Sequence, residues 1–232
     1  DLVLPSHPDY EEFAELSMSE DEWQELIEYS RSQGVSVIAD VFGTRSVEAM
    51  SSYGVELFKI HNADISNLSL IEDVSTCATA VILSAGGSTW VELADALDHL
   101  GEVPALLMYG YQNYPTRVED ANLNRMQSID QKFDIPDGYA SPAPGDSSVP
   151  VELPRLAATA GASAVEVHAT LDRSKKGTDY VSSLEPTEFE EMSRQTRAVK
   201  RLLGKRTLSL PDTEHKYRPN HKKWLVATQD IE

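Results

Sequence analysis

Residues 164–186 read AVEVHATLDRSKKGTDYVSSLEP, a stretch that changes character twice. Val165, Val167 and Ala169 alternate with Glu166, His168 and Thr170, the period of two that a β-strand imposes. Glu166 and His168 therefore share one face, an arrangement that suits a strand lining a polar site. The next segment carries Asp172, Arg173, Lys175, Lys176 and Asp179, too charged for a core and too long for a tight turn. Pro186 is placed to open a helix, because its fixed φ and missing N–H suit the first helical position. Ligands commonly sit where the C-terminal end of a strand meets its loop. The plainer reading of a lone histidine there is a structural hydrogen-bonding group.

Upstream, the same strand–loop–helix pattern recurs. Strands are expected at 35–42 (VSVIADVF), 57–64 (LFKIHNAD), 80–84 (AVILS), 105–109 and 137–140, before the strand from Ala164. Helices are expected at 46–52, 68–76, 89–100, 122–133, 151–160 and 186–203, with a short helical piece near Tyr10. Ser19 followed by Glu22 is a capping-box pattern that starts a further helix carrying Trp23, Leu26 and Ile27. Residues 205–223 read as basic and irregular.

Six strands, each followed by a helix, predict an α/β fold with a parallel sheet and helices on its faces. The strands end in Asp40, in Asn62 and Asp64, in Gly86 and Gly87, near Gln112, and in His168. Polar groups at the ends of nearly all strands converge on one point in a barrel and not in an open sheet.

Composition narrows the function. The net charge of −18 argues against nucleic-acid binding, which needs a basic face, and reads as a solubility device. The 41% apolar content supports a real core. The single cysteine, Cys77, rules out an intrachain disulfide and reads as a small buried side chain. No apolar run approaches the ~20 residues of a membrane helix, and no signal peptide is visible. The expectation is a soluble, cytoplasmic protein without membrane contact.

Six segments in order resemble the sialic acid (N-acetylneuraminate) synthase family, which includes the legionaminic and pseudaminic acid synthases. They are residues 41–74, 80–93 (AVILSAGGSTWVEL), 113–126 (NYPTRVEDANLNRM), 135–144 (IPDGYASPAP), 165–186, and 222–231 (KKWLVATQDI). The most specific are VEVHATLDR through SSLEP, similar to the family's Glu-Lys-His-Phe-Thr-Leu-Asp-Arg through Ser-Leu-Glu-Pro, and KKWLVATQDI, similar to the opening of its antifreeze-like (SAF) domain. The resemblance implies a TIM-type (β/α)8 barrel, with the strands seen here as the third to eighth and the first two before residue 1. Residues 1–204 would be barrel, 205–223 linker and 224–232 the start of the SAF domain. The implied reaction condenses phosphoenolpyruvate with an N-acetylmannosamine-like sugar, releases phosphate, and uses a divalent metal, Mn or Mg. A homodimer formed through the C-terminal region is also implied.

The resemblance carries over residue by residue. Lys59 matches a lysine that contacts phosphoenolpyruvate. Physically, a lysine inside an apolar strand needs an anionic partner, unless it snorkels at the barrel rim. His168 matches a metal-binding histidine, and Asp179 the aspartate that holds the sugar. Asn62 and Asp64 fall where the family binds its two substrates. Ser84 and Gly86 match the phosphate-side turn, with Ala85 in place of a threonine. Gln112 falls near an asparagine-type ligand. Tyr114 matches the tyrosine of the Tyr-Pro-Thr motif, with loop packing as its plainer reading. Glu166 is a candidate substrate contact, metal ligand or orienter of His168.

Four further substitutions break the pattern, among them Ser141 in place of an aspartate. Pro142 stands where the family has its second metal-binding histidine, and proline has no donor atom. Tyr180 replaces a further histidine, and Ala140 a serine. His61, two residues beyond Lys59, is a candidate substitute metal ligand, with a solvent-facing rim residue as its plainer reading. These losses on one face keep open a second reading, a catalytically altered or inactive barrel that binds a sugar or a protein partner.

Overall fold

The computed structural model describes residues 4–8, 10–110, 117–141, 149–177, 179–205, 207–223, 226 and 228. Gln112, Tyr114 and Pro142 lie outside them.

Two short helices precede the sheet, α1 (Tyr10–Glu15) and α2 (Glu20–Ser32). The expected capping box at Ser19 is present: the Ser19 N–H donates to Glu22 Oε2 at 2.7 Å, and the Ser19 hydroxyl accepts from the Glu22 N–H. Strand and helix then alternate: β1 (Ile38–Val41), α3 (Thr44–Ser52), β2 (Leu57–Ile60), α4 (Leu68–Ser75), β3 (Ala80–Ser84) and α5 (Trp90–Leu100). The alternation continues through β4 (Ala105–Tyr109), α6 (Asn124–Phe133), β5 (Asp137–Ser141), α7 (Val149–Ala160) and β6 (Ala164–Ala169). A two-residue strand β7 (Ser183–Leu184) precedes α8 (Pro186–Leu203) and α9 (Asp212–His221).

All the strands run parallel, in the order β1-β2-β3-β4-β5-β6-β7. A doubly wound sheet reverses its strand order at a switch point, and this one does not. Sequential order with right-handed crossovers puts the helices on one face, and such a sheet curls. One contact measures the curl. Strands β2 and β6 are four steps apart, about 19 Å in a flat sheet, yet Lys59 Nζ lies 2.9 Å from Glu166 Oε1. The sheet is bent into a barrel wall with β1 and β7 outermost among the described strands.

The two faces differ in chemistry. Val41, Phe58, Ile60, Val81, Leu83, Leu107 and Tyr139 point outward and pack against Ile71, Val74, Leu93, Ala96, Met126 and Ala157 of the helices. Burying each large side chain of this set stabilises the fold by ~1.5–3 kcal/mol before entropy is counted. Tyr109 and Tyr139 meet edge to face at 6.1 Å, and the Tyr139 hydroxyl donates to Ala121 O at 3.4 Å. Burial, with Tyr109 alongside, pushes the Tyr139 phenol well above its ordinary range. The alternate residues Asp40, Lys59, Ser84, Glu166 and His168 stand on the inner face.

Four sequence expectations need correction. The strand expected at 57–64 stops at Ile60, and Asn62–Asp64 forms a 3-10 turn in which His61 Nδ1 accepts from the Ala63 N–H. A seventh strand exists; two residues show no period to read, and β7 is defined only by its pairing of Ser183 with His168 and Leu184 with Ala169. Residues 212–221, expected irregular, form α9, with Pro211 at the N-cap and Asp212 and Glu214 in the first turn, where acids favour a helix start. Cys77 is only half-buried; it follows α4 and its thiol lies 3.5 Å from Val74 O.

Among the described residues, no helix is long and apolar enough to cross a membrane.

Candidate functional site

Lys59 is the centre of the inner face. Phe58 and Ile60 on either side are fully buried toward the helices, so strand alternation forces Lys59 inward. Its Nζ donates to Glu166 Oε1 of β6 at 2.9 Å and lies 3.1 Å from Asp40 Oδ2 of β1. The β1–β2 register pairs Asp40 with Lys59, which explains the second contact. The lysine side chain is 15% exposed and the two carboxylates are about twice as open.

This cluster holds two carboxylates for one ammonium. Burial works to lower the Lys59 pKa, but the charges of Glu166 and Asp40, with their hydrogen bonds, outweigh it and hold the pKa above the ordinary lysine value. Burial raises Asp40 above the usual carboxylate range; Lys59 and His61 pull it back, and Glu166 pushes it further up. Burial drives the Asp40 shift, and the two carboxylates drive the Lys59 shift. The expectation that Lys59 needs an anionic partner holds, with protein carboxylates as that partner. Glu166 accordingly partners Lys59, a contact that the sequence reading of Glu166 as a substrate contact, metal ligand or orienter of His168 did not include.

His168 lies on the same face of β6, two residues beyond Glu166. Its Nδ1 is 3.9 Å from Asp179 Oδ2. Asp179 occupies the left-handed region, with φ 62°, at the head of the 180–182 turn, and its carbonyl accepts from the Ser182 N–H and the Ser183 hydroxyl. That turn swings the Asp179 side chain back over the end of β6. Tyr180 packs on Gly177 so closely that a Cβ there would lie 2.9 Å from its ring.

The charged loop after β6 is tied down. Asp172 accepts from the Ser174 N–H and hydroxyl at 3.0 and 2.6 Å. Arg173 grips both oxygens of Glu188 at 2.8 and 3.0 Å and donates to Ser183 O at 2.9 Å. Glu188 in turn caps α8 by accepting the Glu185 N–H at 2.8 Å. Partial burial opposes its ionisation, yet Arg173 and that N–H together keep its pKa below the usual carboxylate range.

The remaining predicted residues are placed less directly. Asp64 accepts from Asn67 Nδ2 at 3.1 Å, and Asn67 caps α4, so Asp64 also supports a helix start. Asn62 lies in the same 3-10 turn. Ser84 ends β3 and Gly86 lies in the turn after it, both buried. The following helix start already holds an acid, since Glu92 Oε2 accepts the Thr89 N–H at 2.7 Å. His61 packs against the Phe42 ring at 5.7 Å and spends Nδ1 on its own turn, which weakens it as a substitute metal ligand.

Among the described residues no three His, Cys, Asp or Glu side chains are grouped to hold a metal. His168 and Asp179 give two donors, and two donors do not fix a divalent ion. The described residues therefore do not by themselves fit the expected metal.

Sequence reasoning missed Asp40 as a partner of Lys59. The signal was its place at the end of a strand, but nothing in the chain order says that β1, β2 and β6 meet. Clefts of about 900 and 980 Å³ flank β1 rather than His168; Asp40, Trp23, Leu26 and Arg45 line the smaller.

Known proteins resemble this chain in sequence and fold. A protein of Methanocaldococcus jannaschii is 33% identical over 88% of this chain and 60% of its own length. The N,N'-diacetyllegionaminic acid synthase of Legionella pneumophila is 27% identical over 97% of this chain and 64% of its own length. The chain thus spans less than two thirds of the length of these curated relatives. The crystal structure of an N-acetylneuraminic acid (sialic acid) synthetase from Leptospira borgpetersenii superposes with a TM-score of 0.80 at 29% identity, covering 90% of this chain and 73% of that one. The NeuB family model matches residues 5–207, and the chain belongs to the NeuB family.

Proposed function

We propose that this chain carries the barrel of a nonulosonic-acid synthase, which joins phosphoenolpyruvate to an N-acetylmannosamine-like sugar with release of phosphate. The observation that carries the reading is the convergence of Lys59, Glu166, His168 and Asp179, drawn from β2, β6 and the loop after it, on the inner face. Lys59 supplies the buried positive charge that an anionic carboxylate or phosphate group requires. The Asp179 carboxylate and the His168 ring are suited to accept from and orient sugar hydroxyls, and fixing two partners in register is itself a large part of such a barrier. Asn62, Asp64, Ser84 and Gly86, with Gln112 and Tyr114, complete the proposed substrate contacts.

We assign β1–β6 to the third to eighth strands of the family's barrel, residues 205–223 to a linker and 224–232 to the start of a SAF domain. A cytoplasmic homodimer is part of the same reading. The expected metal, Mn or Mg, has His168 as its one matching donor here, the described residues do not by themselves fit it, and no step is derived through it.

A second reading, a barrel that binds without turnover, is favoured by one feature: both free carboxylates of the Lys59 cluster already occupy its ammonium. The experiment that separates the two is phosphate release from phosphoenolpyruvate by the longest natural form of the protein, with a panel of N-acetylated hexosamines and Mn. Release that needs both substrates and is lost in His168→Ala establishes the synthase. Binding of phosphoenolpyruvate without release establishes the second reading.

A further inference from the structure

We infer that Asp40 is a positioning residue that restrains Lys59 and must be displaced before Lys59 binds an anion. The inference rests on the proposed role of Lys59 above.

The geometry makes the case. An ammonium has three donor directions, and two of the three are taken by carboxylates, one from β1 beside Lys59 and one from β6 across the barrel. A third anion cannot enter without a net charge of −2 around one buried cation, so one carboxylate has to leave. Asp40 is the one that leaves. Its contact is the longer, 3.1 Å against 2.9 Å. It also lines a cleft of about 900 Å³ into which it can turn, and Arg45 stands in that cleft. The charged and titratable groups acting on Asp40 are Lys59 and His61 from β2 and its turn, and Glu166 from β6.

The consequence runs against the usual expectation for a site residue. Removing Asp40's charge strengthens binding, because the anion no longer competes for Lys59. Loss of one half-exposed ion pair corresponds to about fivefold in affinity.

The test is calorimetric titration of the full chain with inorganic phosphate and with phosphoenolpyruvate. Wild type, Asp40→Asn, Asp40→Glu and Lys59→Met are compared, each first shown folded by circular dichroism and a cooperative melt. About fivefold tighter binding of phosphate and phosphoenolpyruvate to Asp40→Asn supports the inference. It requires in addition that Asp40→Glu bind as wild type does and that Lys59→Met bind neither. A purely structural role for Asp40 gives weaker binding in Asp40→Asn, and equal or weaker binding overturns the inference. Tighter phosphate binding in Asp40→Asn without any preference for phosphoenolpyruvate overturns the synthase reading and leaves the restraint standing. No binding of either anion to wild type or Asp40→Asn overturns both.

Discussion

The outer and inner faces of the barrel wall are made by the same strands, one residue apart, and obey different rules. On β2, Phe58 and Ile60 are fully buried among helix side chains, while Lys59 between them holds two carboxylates. The outer face needs only apolar shape, supplied by neighbours close in sequence, since each helix packs near its own strands. The inner face needs particular atoms from β1, β2 and β6 at hydrogen-bond distance. Stability is therefore concentrated outside and chemistry inside.

The sharpest break of this contrast is a pair of substitutions at adjacent positions. Phe58→Ala opens a cavity in the outer core and is expected to cost about 3–5 kcal/mol, read from the denaturation midpoint. Lys59→Met leaves that core intact but strands two carboxylates, with an expected loss of about 1–3 kcal/mol. An equal or larger loss at Lys59 would mean that the inner face carries the fold.

Between β4 and β5 the inner face is packed rather than polar. A Cβ on Gly110 would lie 2.9 Å from the Ala140 carbonyl oxygen, backbone that cannot swing aside. Gly110→Ala is expected to cost about 1–3 kcal/mol, measured by the same denaturation. A neutral result would show that the strands spread there without penalty.

The smallest effect sharpens the contrast at the loop after β6. Glu188 has a folded-state pKa below its unfolded one, so its contribution is complete above the unfolded carboxylate range and is lost as pH falls through the folded value. Acidification should therefore loosen the Arg173–Glu188 grip before the barrel unfolds. Faster amide exchange at 170–185 below the ordinary carboxylate range, absent in Glu188→Gln, is the expected outcome. An identical pH response in Glu188→Gln would show that the loop is held elsewhere.

Much of this was legible in the chain. Ser19 with Glu22 and Pro186 after Glu185 marked helix starts, because capping is settled within one turn. The period of two around Glu166 and His168 put both on one face, because pleating is local. The resemblance placed Lys59, His168 and Asp179 among the site residues, and the first lies on the same inner face as the second. The partners of these residues were not legible. Glu166 shares its face with His168 as expected, but its ion-pair partner is a lysine 107 residues earlier, across the barrel. Asp40 had no assigned partner at all.

Sequence alone settled what each strand offers to its two faces, since side-chain direction along a strand is fixed by backbone geometry residue by residue. It also settled the family, through motifs spread over nearly the whole chain. Tertiary structure alone decided which offers meet. The curl of the sheet brings β2 and β6 together across the wall, and only then do two carboxylates compete for one ammonium. The strength of that competition depends on burial and distances of about 3 Å, quantities that no local stretch of sequence contains.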